Sequence, residues 1–140
     1  MSSCIYCGED DAKLHSLMIK VCDLSFSTLF LFKDQNHKGR CIVACKKHVN
    51  EIFELTDDER NMFFADVAKV AKAQKEIWGP NKINYGIFGD KMPHFHVHLA
   101  PKYDGGLQWG QFFTDAGLTP KLLSDDEYQD IIEKLKSKVL

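Results

Sequence analysis

The 140-residue sequence has no apolar run of membrane-spanning length, and its opening "MSSCIYCGED" lacks the apolar core of a signal peptide. It has no excess of one charge. A formal net charge of −2 gives no electrostatic reason to expect nucleic acid or a membrane surface as a partner. Local lysine pairs such as Lys46-Lys47 read as solvated faces. The cysteines do not form an even set: Cys4, Cys7, Cys22, Cys41 and Cys45 make five, which is not a disulfide framework. Repeats, low-complexity tracts and domain linkers are missing as well. What these absences leave is a cytoplasmic protein with one domain over residues 1–140, long enough to bury a single sizeable core. Its 44% hydrophobic and 27% charged composition is that of an ordinary globular chain.

The pattern of elements is that of an α+β fold. "LMIKV" (17–21) and "FSTLFLF" (26–32) read as β-runs joined by a short turn, and the polar turn "KDQNHKG" leads to a third strand, "RCIVAC". Thr56-Asp57-Asp58-Glu59 is a capping box. It opens a helix with Phe63, Val67, Val70, Ala71 and Ile77 near helical spacing, stopped by Gly79-Pro80. "KINYGIF" follows as a strand, then a turn at Gly89-Asp90 and a histidine-rich strand. Ser124-Asp125-Asp126-Glu127 starts a second helix with Tyr128, Ile131, Ile132, Leu135 and Val139 on one face, and the stretch before it reads as loop. Clustered strands with two amphipathic helices imply an antiparallel sheet with the helices packed on it.

The chemistry concentrates in "MPHFHVHLAPKY", residues 92–103, where His94, His96 and His98 alternate with Phe95, Val97 and Leu99. A strand has period two, so the three imidazoles share one face and the apolar residues the other. On a helix they would spread over roughly 200 degrees of surface. Three imidazoles on one face are costly to bury unpaired. Two chemistries suit them: three ligands of a catalytic zinc with an open position, or one nucleophilic imidazole oriented by its neighbours.

Cys4 and Cys7 have the spacing of half a zinc site, and two more ligands would close a tetrahedral shell. His48, at the end of a strand, is one candidate; a histidine of the triad is another. The plain alternative is two thiols near a loose terminus. A rival grouping of Cys41 and Cys45 with His48 ranks lower, because those cysteines sit in an apolar run.

With these residues in view the sequence resembles the histidine-triad (HIT) family of nucleotide hydrolases and transferases. "HFHVHLAP" resembles its His-x-His-x-His motif followed by two apolar residues, and "CIYC" the Cys-x-x-Cys of its zinc-bearing members. "GRCIVACKKHVNEIFELTDDE" and "NYGIFGDKMPHFHVHLAPKY" resemble its strand-to-helix linker and its triad hairpin. The chain departs in having Gly39-Arg40 where members commonly have Gly-His, and Cys45-Lys46-Lys47-His48 where they have Pro-Lys-x-His.

The resemblance implies a HIT-like fold and a two-step attack on the α-phosphorus of a nucleotide derivative. His96 would be the nucleophile and His98 a donor to a phosphate oxygen or the leaving group. Asn84 would donate on the phosphate side, Asp34 would take a ribose hydroxyl, and Lys91 and Arg40 would neutralise phosphate charge, with surface placement the default for each. Zinc would be structural, held by Cys4, Cys7, His48 and His94, with no catalytic metal required. Family members are typically homodimers, with the first long helix and a strand at the interface; the apolar Met62, Phe63 and Phe64 on that helix fit this, and core packing alone would also explain them. Adenosine phosphoramidates, dinucleoside polyphosphates and nucleotidyl sugars all present the reactive phosphorus. Two other classes stand beside this one: a zinc hydrolase using all three histidines, and a nucleotide-binding partner protein.

Overall fold

The structure, a computed structural model, describes residues 4–8 and 11–140. The sequence reading of the first ten residues therefore lies partly outside the described residues. Asp11 caps a short helix, α1 (Ala12–Leu17), by accepting the N–H groups of Lys13 and Leu14 at 2.8 and 3.1 Å. The expected strand at 17–21 consequently starts one residue later, as β1 (Met18–Asp23). β2 (Ser27–Phe32) and β3 (Cys41–Cys45) follow. One turn of 3-10 helix (Ile52–Glu54) leads into α2 (Asp57–Trp78), then β4 (Lys82–Gly86), β5 (His96–Lys102) and α3 (Asp125–Val139).

Both capping boxes form. Thr56 and Glu59 satisfy each other's backbone N–H groups at the start of α2, and Ser124 and Glu127 do the same for α3. Gly79 ends α2 in the left-handed conformation, φ 63°.

The five strands form one antiparallel sheet in the order β1-β2-β3-β5-β4. Alternation along each strand divides the side chains between two layers. Leu29, Leu31, Val43, Val97 and Leu99 face α2 and α3, where they meet Phe63, Val67, Val70 and Leu135 in the main core. Cys41 and Cys45 belong to that core, as small apolar side chains. Phe30, Ile42 and Ala44 face the other way and pack with Ile5, Leu14 and Met18. That second face carries the functional side chains, because Ile42 pairs with His98 and Ala44 with His96 across β3 and β5.

Three local details sharpen the sequence pattern, and the first corrects it. His94 lies just ahead of β5, so only two of the three histidines are in the strand itself. The turn between β2 and β3 is not a solvated one: Gln35 and His37 are buried, and Gln35 accepts the Gly39 N–H at 2.8 Å while donating to the Phe32 carbonyl at 2.6 Å. Gly39 has φ +90°, and a Cβ there would sit 2.6 Å from the Trp78 ring, so the turn closes only on glycine. Phe63 is core and Phe64 packs against it, leaving Met62 as the exposed member of that trio.

Candidate active site and metal centre

The three imidazoles have three different partners. His96 Nδ1 lies 2.6 Å from the His94 carbonyl oxygen. A carbonyl only accepts, so Nδ1 carries the proton and Nε2 the lone pair. The Tyr6 ring packs 5.0 Å from His96 and 5.3 Å from His94. Burial holds both imidazoles below the ordinary histidine range, partly opposed by the backbone hydrogen bond each makes. Both are neutral at pH 7.

Arg40 Nη2 donates to His98 Nδ1 at 3.1 Å. The rings of Phe32, Phe88 and Phe113 surround His98 at 6.0, 5.9 and 6.4 Å. Desolvation first, then the Arg40 charge and then His96, push its pKa down to about 3. Gly86, paired with His98 across β4 and β5, makes room for this cage: a Cβ there would lie 2.6 Å from Phe88 and 2.7 Å from Phe113.

Arg40 corrects the expectation of a surface side chain. It is 4% exposed, with Nη1 donating to Asp115 Oδ1 at 2.8 Å and the guanidinium over Phe32 and Phe113 at 4.1 and 5.0 Å. Asp115 and Phe113 come from the irregular segment 104–120, which carried no signal in the sequence. Lys102 anchors that segment, its Nζ donating to the Gln108 and Gln111 carbonyls at 2.7 Å each.

Beside His96 lies a second cluster. The ligand atoms of Cys4, Cys7, His48 and His94 fall within 4.8 Å of one another, a group able to hold a metal ion. Cys4 Sγ is 3.3 Å from His94 Nδ1, Cys7 Sγ 3.2 Å from His48 Nδ1, and the two Nδ1 atoms are 3.0 Å apart. A tetrahedral zinc ion of ordinary bond lengths sets nitrogen and sulfur about 3.5 Å apart, so the donor set fits one ion. His94 Nε2 donates to the Cys45 carbonyl at 2.7 Å, which turns the Nδ1 lone pair toward the cluster. His96 and His98 do not belong to this group.

Asn84 shares the sheet face of His98, two positions along β4, and lines a cavity of about 690 Å3 with Lys82, Lys102, Trp109 and Phe112. Lys91 is exposed in the turn before His94. Asp34 Oδ1 accepts the N–H groups of Asn36 and Lys121 at 3.0 and 3.1 Å, so it braces its own turn and the segment leading to α3.

The sequence pattern of the HIT domain matches residues 17–105. The chain belongs to the HIT family. Among HIT-family relatives it is 26% identical to "Protein hit" of Bacillus subtilis, across 98% of this chain and 92% of that one. It is 25% identical to the adenosine 5'-monophosphoramidase of Schizosaccharomyces pombe, across 98% of both. A histidine-triad protein of Bradyrhizobium japonicum shares the fold, with a TM-score of 0.84 at 24% identity over 93% of this chain and 96% of that one. The matched HIT region contains Arg40, His48 and all three histidines, while Cys4, Cys7 and Asp115 lie outside it.

Proposed function

We propose that this HIT protein is a nucleotidyl hydrolase or transferase, cleaving at the α-phosphate of a nucleotide derivative through a covalent nucleotidyl-His96 intermediate. The observation that carries the reading is the 2.6 Å hydrogen bond from His96 Nδ1 to the His94 carbonyl. It leaves Nε2 with a lone pair and gives the imidazolium formed on attack a fixed acceptor for its remaining N–H. Splitting the displacement in two suits imidazole, which is nucleophilic when neutral and leaves readily once it carries positive charge. His98 donates to an oxygen of the reacting phosphoryl group. Asn84 serves the phosphate side, Lys91 lends charge, and Asp34, fixed through Oδ1, offers Oδ2 to a ribose hydroxyl. The relatives' names, a monophosphoramidase and, at 27% identity, an AP-4-A phosphorylase of Mycobacterium tuberculosis, support a nucleotide-derived substrate.

Cys4, Cys7, His48 and His94 would hold zinc as a closed structural site. A hydrolase with all three histidines on one zinc is disfavoured, because His94 turns to the cysteines while Nδ1 of His96 and of His98 is engaged elsewhere. A homodimer belongs to the same proposal. Support for it is the open sheet edge at β4, where Tyr85 is exposed, as are Ile87 and Phe88 just beyond the strand.

The test is a hydrolysis panel over phosphoramidates, dinucleoside polyphosphates and nucleotidyl sugars, with rapid-quench labelling from an α-phosphate radiolabel. Wild type should trap label on His96. His96→Ala should lose turnover while binding product nucleotide within about tenfold of wild type. Label on another residue, or activity surviving in the variant, removes His96 as nucleophile.

A further inference from the structure

The groups around His98 specify where its proton sits. Arg40 approaches from just ahead of β3, with Nη2 3.1 Å from Nδ1. His96 approaches from β5, the strand of His98 itself, ring centroids 5.1 Å apart. Phe32, Phe88 and Phe113 supply the remaining walls, and Asp115 reaches Arg40 at 2.8 Å rather than the imidazole. A guanidinium has five donors and no lone pair. Facing it, Nδ1 must present its lone pair, so the single proton of neutral His98 is on Nε2. A second proton would set donor against donor and cation against cation in a half-buried site. Stacking on Phe32 and Phe113 and pairing with Asp115 hold the guanidinium in place.

We infer that Arg40 is a positioning residue that locks His98 as a neutral hydrogen-bond donor at Nε2, and so tunes the site to substrates whose leaving group departs as a stable anion, a phosphate chain, over those whose leaving group is an amine. The substrate half rests on the nucleotidyl-transfer reading; the lock itself does not. A neutral imidazole can hydrogen-bond through Nε2–H, but giving that proton up would leave an imidazolate. His98 therefore steadies charge on phosphoryl oxygen without supplying a proton. With a phosphate leaving group the step balances unaided. The His96 Nε2 lone pair forms the bond to phosphorus, the P–O bond breaks, and its electron pair leaves on a phosphate oxygen. Water then attacks phosphorus, loses a proton to solvent, and the pair of the P–N bond returns to Nε2. With an amine leaving group, breaking the P–N bond of the substrate would place the pair on nitrogen with no proton at hand.

Long-range 1H–15N correlation spectra of the full chain test the lock, with the His98 signals assigned by their loss in His98→Gln. In wild type one nitrogen, Nε2, should be protonated, unchanged from pH about 8 to about 5. Arg40→Gln should raise the midpoint for a second proton toward, but not to, the ordinary 6.5, since burial still opposes the charge, while Arg40→Lys, which keeps donor and charge, stays closer to wild type. On adenosine 5'-phosphoryl substrates, wild type should prefer a phosphate over an amine leaving group. Arg40→Gln should narrow that preference about tenfold, through kcat more than KM. Protonation of Nδ1 in the wild-type spectrum at pH about 6 overturns the lock, whether or not any nucleotide is hydrolysed and whether or not the variants fold. A locked tautomer with amines turned over as fast as phosphates overturns the substrate half. A locked tautomer with no hydrolysis of either counts against nucleotidyl transfer and leaves the lock standing.

Discussion

Asp66 shows how one polar residue on a helix can hold two layers together. It is 3% exposed, and its carboxylate accepts from the Ser25 hydroxyl at 2.8 Å, the Phe26 N–H at 2.8 Å and the Ser27 hydroxyl at 2.7 Å. Two of those donors belong to the β1–β2 turn and the third, Ser27, opens β2, so the carboxylate fastens α2 to the sheet. Asp66→Ala would strand them and should cost about 3 kcal/mol, or about 10 °C in Tm for a chain of this size. Asp66→Asn, which retains one acceptor oxygen, should lose less. Urea unfolding of the two variants measures the difference, and a shift of under about 1 kcal/mol in the alanine variant would contradict the fastening role. Asp66 does not announce itself in the sequence, and Arg40 stands out there as a departure from Gly-His but not as a buried side chain. Each is a charged residue of common type, and its partners lie far along the chain: 40 residues from Asp66 to Phe26, 75 from Arg40 to Asp115.

Among the elements, the Cys4, Cys7, His48 and His94 group, able to hold a metal ion, joins the N-terminal segment, the stretch after β3 and the approach to β5. Binding there counts as folding energy. Cys4→Ser/Cys7→Ser should therefore lower both bound zinc and Tm. Turnover per folded molecule should persist, since His96 and His98 take their partners from the His94 carbonyl and Arg40 rather than from the ion. Elemental analysis and a thermal melt check this. Unchanged zinc in the double variant would dismiss the cluster as its site. The elements legible in the sequence are those whose signals are local. The two capping boxes, Gly79 and the alternation 95–99 each act within a few residues; α2 and α3 stand where those signals put them, and β5 forms there but starts only at His96. α1 escaped notice because six residues offer too little periodicity and its cap is a single aspartate. The segment 104–120 escaped because its placement depends on Lys102 and Arg40 reaching it through space.

For the molecule as a whole, burial makes stability depend on pH. His37, His96 and His98 all have folded pKa values below the ordinary 6.5, with desolvation the largest cause for each. A histidine whose pKa is depressed by folding is protonated more readily when unfolded. Its contribution is thus fully present above the unfolded value and is lost as pH falls below it toward the folded value. The melting temperature should hold steady above pH about 7 and decline as pH drops from about 6.5 toward 5. Calorimetry across that range checks the sign; a protein that gains stability on acidification would contradict the burial of these imidazoles.

The order of the sheet carries a consequence for how the chain acquires its chemistry. β5 sits between β3 and β4, and its partner β3 is separated from it along the chain by the whole of α2 and β4. Arg40 and His48 flank β3, whereas His94, His96 and His98 arrive with β5. The ring closed by that one strand pairing is large, and loop-closure entropy opposes it until the core forms. Catalytic competence is therefore a late and all-or-none property of folding. A chain with β1, β2 and β3 already assembled carries Cys4, Cys7 and His48 without His94, and Arg40 without His98, and recovery of His98 contacts in a refolding experiment should track the final closure of the sheet rather than its beginnings.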